Sequence, residues 1–268
     1  MQALGNDFMV IDTINHDFIP TTKQIRQFSS RHFGVGFDQM LIIAPPKNQA
    51  HDYFYQIFNA DGAEVGQCGN GARCAFRYIQ THLNSKAKKI ILATNTTLIE
   101  LEETSNQLIK MTLPSPLFKP EDIPIDVGRE SEVYELSKHL KVHALSVGNP
   151  HAIHIIQDKL WDMDIMSLGL TISRHPLFPE QANANFMQID SKTQISLRVF
   201  ERGVGETLAC GSGALASAIA GMRFHGLNAR VLVKLKGGCL EVYWPNQQGP
   251  IYQYGPAVEV FRGQILTN

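Results

Sequence analysis

Cys68–Leu83 reads CGNGARCAFRYIQTHL and Cys210–Gly226 reads CGSGALASAIAGMRFHG. Each stretch opens on a cysteine followed by Gly-x-Gly. Each continues with apolar residues at spacings of three and four, the period of a helix with a glycine-lined first turn. The predicted helical spans are 72–83 and 214–225. The two stretches lie roughly 140 residues apart, and a similar offset links GNDF at Gly5–Phe8 to GNPH at Gly148–His151, and Phe58–Gly62 to Phe200–Gly203. One offset shared by three separate patches predicts two copies of a single structural unit, each contributing one thiol.

Outward from the helices the chain alternates with period two. The stretches 97–102 (TLIELE), 108–113 (LIKMTL), 195–200 (ISLRVF) and 231–236 (VLVKLK) read as strands. Gly237-Gly238 reads as a hairpin turn in which both glycines supply positive φ. Each half is therefore a sheet packed around one main helix. Pro114, Pro116, Pro120 and Pro124 fall close together, and proline extends neither a helix nor a central strand, so the linker lies there. The halves are 1–113 and 114–256. A last strand-like piece, 257–266, has a periodicity that does not decide its half, and 257–268 is assigned to return to the first.

Composition narrows the function classes. With 24 Lys and Arg against 25 Asp and Glu, interspersed, no charge run offers a handle for nucleic acid or membrane. The N-terminus, with Asn6, Asp7 and Asp12 among its apolar residues, does not read as a signal peptide, and the longest apolar run, 214–222, is too short to span a bilayer. The 4 cysteines have no framework spacing, which predicts free thiols and a cytoplasmic protein. Cys74 and Cys239 read as small buried hydrophobes.

Cys68 and Cys210 read differently, because packing alone does not require matched Cys-Gly-x-Gly contexts. Inverting an α-carbon demands removal of a proton from one face and delivery to the other. A thiolate and a thiol perform both in either direction. A cysteine at a helix N-terminus gains from unpaired N–H groups and the helix dipole, which predicts a lowered pKa for both thiols. The same N–H groups, at Gly69-Asn70 and Gly211-Ser212, suit an α-carboxylate. Sulfurs about 3.5 Å from the carbon on opposite faces stand roughly 7 Å apart. The residues point to a racemase or epimerase without cofactor. Zinc and dinucleotide readings lack their ligand spacings. His151 and His154 lie on opposite faces of a strand, so no metal is expected from them.

GNDF, NADG with CGNGARC, GNPHA and ERGVGETLACGSG together resemble the diaminopimelate epimerase family over nearly the whole chain. The resemblance implies an α+β fold of two pseudo-symmetric domains, each a mainly antiparallel sheet or barrel wrapped around a central helix, with the active site in the cleft between them. It implies interconversion of LL- and meso-2,6-diaminopimelate, without pyridoxal phosphate or metal, for lysine and peptidoglycan precursors. By the same resemblance Cys68 and Cys210 are the acid and base. Asn6, Gln39, Asn59, Gly69, Asn70, Asn149, Asn183, Glu201, Arg202, Gly211 and Ser212 contact substrate, with Arg202 gripping the distal carboxylate. His151 and Glu201 tune activity. Phe261 stands where relatives often have a tyrosine linked to dimerisation, and a homodimer is expected. Relatives also carry several residues ahead of the methionine that precedes GNDF, so the start at Met1 is read as truncated or misassigned. The competing readings are another two-thiol racemase, against which Asn70 and Arg202 speak, and a binding protein that keeps the fold without turnover.

Overall fold

The computed structural model describes residues 1–84 and 86–266. Two compact units are present, Met1–Met111 with Gly255–Asn268, and Thr112–Tyr254.

In the first unit the strand Asn6–Asp12 runs parallel to Gln39–Ala44, with Phe8 opposite Gln39. Parallel neighbours need a crossover, and the helix Thr22–Ser29 supplies it. Thr21 caps this helix in a reciprocal box with Gln24. Gln39–Ala44 then pairs antiparallel with Tyr53–Asn59, Gln39 opposite Asn59. Tyr53–Asn59 carries the short strand Glu64–Val65 antiparallel and, after the helix Gly69–Tyr78, Lys89–Ala93 parallel. Lys89–Ala93 closes on Leu98–Glu103 antiparallel.

The second unit repeats this wiring. Pro150–Ile156 runs parallel to Asn183–Ser191, His151 opposite Asn183, across the helix Met166–Ser173. Asn183–Ser191 pairs antiparallel with Gln194–Glu201. That strand takes Gly205–Thr207 antiparallel and, after the helix Gly211–Phe224, Arg230–Leu235 parallel, which closes on Gly238–Tyr243. Each unit is thus mainly antiparallel, with two parallel pairs wherever a helix crosses over.

The apolar pattern explains the layering. Met40, Leu41, Ile42 and Ile43 are buried in succession because Gln39–Ala44 is covered on both faces. Ile25 and Phe28 of the crossover helix pack on Met40 and Ile42, while Leu41 approaches Gly71 of the cysteine helix. In the second unit the residues from Gly213 to Met222 are all buried, so this helix is enclosed on every side. Its many alanines and glycines let strands close in: a Cβ on Gly213 would meet Val199 Cγ2 at 2.8 Å. Leu215, Ile219 and Met222 each contribute about 1.5–3 kcal/mol by burial.

Several expectations change in detail. The predicted span 72–83 is an α-helix only to Tyr78 and continues as a π-helical turn, Ile79–Leu83. At the hairpin the register pairs Leu235 with Gly238, so Lys236-Gly237 form the loop, and Gly238 alone of the two glycines has positive φ, at 135°. The piece 257–266 forms no strand among its described residues. Only Val258 makes an isolated bridge, to Gln2, and Val260, Phe261 and Leu266 stay exposed because no sheet edge takes them up. Cys239 is exposed, since it faces outward at the start of an alternating strand, while Cys74 is buried.

Candidate active site

Cys68 is the N-cap of the helix Gly69–Tyr78, with extended backbone at φ −149° and ψ 112°. Its sulfur accepts from the Gly71 N–H at 3.4 Å, the position a serine or aspartate oxygen takes in an ordinary cap. That N–H and the dipole behind it favour negative charge on sulfur. Asn6, two residues before Phe8, turns its Oδ1 toward Cys68 Sγ at 4.0 Å and Asn70 Nδ2 at 3.5 Å, and its Nδ2 donates to Asp38 at 3.0 Å. Arg31 holds Asp38 at 2.8 Å while gripping Asp7 with both terminal nitrogens. Asn70 is buried and receives a 2.5 Å hydrogen bond from Arg73, which is itself fully buried. Burial lowers the Arg73 pKa to about 10, against the pull of Cys74 and Cys68, and it remains a cation at neutral pH.

Gln39 and Asn59 face each other across the antiparallel pair, Gln39 Nε2 donating to Asn59 Oδ1 at 2.9 Å. Gln39 Oε1 is buried and accepts no hydrogen bond, an acceptor left waiting for a donor. Tyr55, fully buried, donates to the Cys68 carbonyl at 3.3 Å; burial first, then the Cys68 charge, push its phenol far above the ordinary value.

Cys210 caps the helix Gly211–Phe224 from the same kind of extended backbone, φ −110° and ψ 112°, without a side-chain cap hydrogen bond. Its sulfur lies 3.5 Å from Ser212 Oγ. Asn149 Nδ2 donates to Ser212 Oγ at 3.3 Å, and Asn149 Oδ1 is 3.2 Å from His151 Nε2. His151 Nδ1 meets Asn185 Oδ1 at 3.2 Å. Glu201 accepts from Thr207 Oγ1 at 2.7 Å, and Asn183 Oδ1 accepts from the Arg202 N–H at 3.0 Å. The Arg202 side chain is exposed and donates to the Glu180 carbonyl at 2.9 Å.

The electrostatics of the two cysteines differ. The helix terminus predicts a lowered pKa for Cys210, but burial and then the Glu201 carboxylate push it well above the ordinary thiol value, and the Ser212 hydroxyl and Gly213 N–H offset them only in part. Burial also brings His151 down to about 4, with Arg202 adding to it against the Asn185 hydrogen bond, so the ring is neutral near pH 7.

The structure thus gathers Asn6, Gln39, Asn59, Cys68, Gly69 and Asn70 in the first unit. It gathers Asn149, His151, Asn183, Glu201, Arg202, Cys210, Gly211 and Ser212 in the second. Phe261 is exposed in the C-terminal segment. Sequence reasoning passed over Tyr55, Arg73, Asn185, Ser217 and Thr207. Only Asn185 left a trace: in NANF, Asn183 and Asn185 fall on one face at the start of a strand, alternating with Ala184 and Phe186.

The family model described as Diaminopimelate epimerase matches residues 1–116 and 143–260. A diaminopimelate epimerase from Legionella pneumophila (strain Paris) is 42% identical over 271 residues, covering 100% of this chain and 98% of its own. One from Coxiella burnetii (strain Dugway 5J108-111) is 42% identical over 269 residues, with 99% and 97% covered. Among solved structures, a phenazine biosynthesis protein of the PhzF family from Bacillus anthracis shares the fold at TM-score 0.69 and 16% identity, with 100% of this chain and 95% of that chain covered.

Proposed function

The chain belongs to the diaminopimelate epimerase family, and from that membership we propose that Cys68 and Cys210 interconvert LL- and meso-2,6-diaminopimelate by direct proton transfer. In one direction a thiolate takes the proton from Cα–H on one face, and the electron pair is delocalised into the α-carboxylate. The opposite thiol then returns a proton to the other face, so the product leaves with the roles of the two sulfurs exchanged. The reverse reaction uses the same two groups.

The observation that carries this reading is the repeated placement of a cysteine as N-cap of the second crossover helix in both units. The first-turn N–H groups of Gly69-Asn70 and Gly211-Ser212 suit the reacting carboxylate, and the positive helix ends stabilise charge as it develops there. Gln39 Oε1, buried without a donor, suits a substrate ammonium. Asn6, Asn59, Asn149 and Asn183 add neutral donors and acceptors for a doubly zwitterionic substrate, Glu201 suits the α-ammonium, and Arg202 a carboxylate fork. Polar groups of this kind discriminate strongly against analogues that leave them unpaired. His151 acts on activity from behind Asn149. The reading includes cytoplasmic lysine and peptidoglycan-precursor synthesis, consistent with four free cysteines, and a homodimer, supported by exposed Val260 and Phe261. It includes no metal and no pyridoxal phosphate.

The test is proton NMR of LL-diaminopimelate in D₂O with the unmodified chain, Cys68→Ala and Cys210→Ala, without added cofactor. Loss of one α-proton signal with appearance of the meso isomer, abolished in both variants, is the expected result. Full epimerisation by either alanine variant, or none by the unmodified chain, overturns the two-thiol reading. Light scattering tests the dimer, and Phe261→Asp is expected to yield monomer.

A further inference from the structure

The two units share a topology but differ under their cysteine helices. Phe8 and His151 hold equivalent places, each the residue opposite the first of the next parallel strand, Gln39 or Asn183. Two residues further along those strands stand Leu41 and Asn185, and at equal distances past their cysteines stand Ala75 and Ser217. The first unit therefore builds this layer from Phe8, Leu41 and Ala75. The second builds it from His151, Asn185 and Ser217, all three fully buried. The fold does not need polar groups here, and burying them costs free energy unless every one is satisfied.

They are satisfied in a way that fixes one proton. Asn185 Nδ2 donates to the Gly213 carbonyl at 3.1 Å and to Ser217 Oγ at 3.0 Å. A carbonyl only accepts, so the Asn185 amide has one orientation and its Oδ1 must face His151 Nδ1 as an acceptor. His151 Nδ1 therefore carries a hydrogen. On the other side of the ring, Asn183 Oδ1 is taken by the Arg202 N–H, which turns Asn183 Nδ2 toward His151 Nε2 at 3.5 Å. Burial keeps the ring neutral near pH 7, so with Nδ1 protonated Nε2 is bare and accepts from Asn183.

Asn149 lies between Nε2 and Ser212 Oγ, and a 180° turn of its amide exchanges which end faces which. With oxygen toward Nε2, the ring must be an imidazolium, and the Ser212 hydroxyl is released to donate to a Cys210 thiolate. With nitrogen toward Nε2, Asn149 Oδ1 takes the Ser212 hydroxyl proton, and Ser212 Oγ is left to accept from a Cys210 thiol. The structure has Asn149 in the first arrangement, Oδ1 toward Nε2 and Nδ2 toward Ser212; the neutral ring selects the second, with the amide turned.

We propose that Asn185 is a positioning residue for the acid–base chemistry of Cys210: it locks His151 as the Nδ1–H tautomer, and Asn149 and Ser212 pass that lock on, holding a proton on Cys210 Sγ. Cys210 is then the proton donor of the resting enzyme and Cys68 the acceptor. Turnover that leaves Cys210 as thiolate is accompanied by the amide turn at Asn149. The charged neighbours act in the same direction, since Arg202 opposes an imidazolium at His151 and Glu201 opposes a thiolate at Cys210. The proposal rests on Cys210 being an acid–base thiol, which the deuterium exchange above reads independently.

The experiment labels histidine with ¹⁵N in the ring and cysteine with ¹³C at Cβ, and follows both by NMR against pH in the full chain. The expected wild-type result is a His151 ring protonated at Nδ1 and bare at Nε2, with Cys210 as thiol through neutral pH. Asn185→Leu, which places the first unit's residue in the second, is expected to release the Nε2–H tautomer. The Cys210 midpoint should then fall by about one pH unit, a tenfold gain in thiolate fraction at a given pH. Ser217→Ala leaves the Gly213 carbonyl to hold the amide and is expected to leave both signals in place. An Nε2–H tautomer in the wild type overturns the proposal whether or not Asn185→Leu folds, as does a folded Asn185→Leu that moves neither signal. Loss of epimerisation with the tautomer and midpoint as expected would instead count against the proposed function alone.

Discussion

The fully buried Tyr55 phenol donates to the carbonyl of Cys68 at 3.3 Å, so the residue that caps the helix is held from below by a group that cannot ionise near neutral pH. The same carbonyl accepts from Ala72 N–H at 2.8 Å, the first turn of the helix. Tyr55→Phe therefore leaves no orphaned acceptor, and the expected cost is about 1 kcal/mol, the net worth of one hydrogen bond. Urea unfolding measures it. The turnover number should drop less than the cysteine substitutions drop it, because the sulfur keeps its own hydrogen bond from Gly71.

Glycines in equivalent places of the two helices predict unequal sensitivity. A Cβ on Gly213 meets Val199 Cγ2 at 2.8 Å and Cys210 Cβ at 3.3 Å, whereas a Cβ on Gly71 meets Leu41 Cδ2 at 3.1 Å and Phe8 Cε1 at 3.3 Å. Val199 is β-branched and buried in a central strand, so it yields less than the end of a leucine. Gly213→Ala is expected to cost about 1–3 kcal/mol by overpacking and to displace Cys210, with a loss of turnover. Gly71→Ala should cost less than Gly213→Ala on both measures, read by thermal unfolding and initial rates.

How much of this was legible in the sequence depends on which physics writes a visible pattern. The cysteine helices were, because Gly-x-Gly and spacings of three and four are local and periodic, and the duplicated motifs anticipated the α+β fold of its relatives. The parallel crossovers were not, since periodicity says nothing about strand direction. Gly237 and Gly238 looked alike until the register assigned them different places. The direction of the Cys210 pKa was misread because a helix terminus is visible in sequence, whereas the burial and the neighbouring Glu201 that outweigh it depend on the packed structure. Asn185 and Ser217 were passed over for the same reason: a buried polar residue differs from an exposed one only by what surrounds it.

Arg198 and Glu206 form the most enclosed ion pair of the second unit, their side chains 6% and 16% exposed. Arg198 donates to Glu206 twice, at 2.7 and 3.0 Å, and also to the Leu160 carbonyl at 2.9 Å, while Lys236 approaches the same carboxylate at 2.8 Å. Burial alone would raise the Glu206 pKa, but hydrogen bonds from Arg198 and Lys236 and their charges outweigh it and hold the value below the ordinary 4.5. The pair's contribution to stability is therefore fully present above about pH 4.5 and is lost as pH falls through the depressed value. Glu206→Ala is expected to cost about 3 kcal/mol at pH 7, because it leaves Arg198 buried without its counter-charge. The gap between variant and wild type should narrow as pH falls through that depressed value, as measured by urea midpoints across the acid range.

The remaining cysteines separate by access. Cys74 is fully buried, and burial pushes its pKa to about 12 against the pull of Arg73, so it should resist alkylation throughout the neutral range. Cys239 is exposed. Limited iodoacetamide treatment followed by peptide mass mapping is expected to modify Cys239 and spare Cys74. Cys239→Ser should retain full epimerase activity; a loss of activity would give this residue a role that its position outside both clusters does not predict.

Glu201 separates the acid–base character of the two halves, because the first unit has a neutral Asn59 in the corresponding place opposite Gln39. Its carboxylate accepts from Thr207 at 2.7 Å and stands among the groups that raise Cys210. Glu201→Gln removes the anion while keeping an acceptor for Thr207. The Cys210 pKa should then fall, since one of the two influences that disfavour the thiolate is gone and burial remains. The pH dependence of kcat/KM is expected to shift to lower pH, and KM should rise because the amide has no charge to offer the substrate ammonium. A rise in KM with an unshifted pH profile would make Glu201 a binding residue only, whereas a shifted profile with unchanged KM would confine it to setting the proton on Cys210.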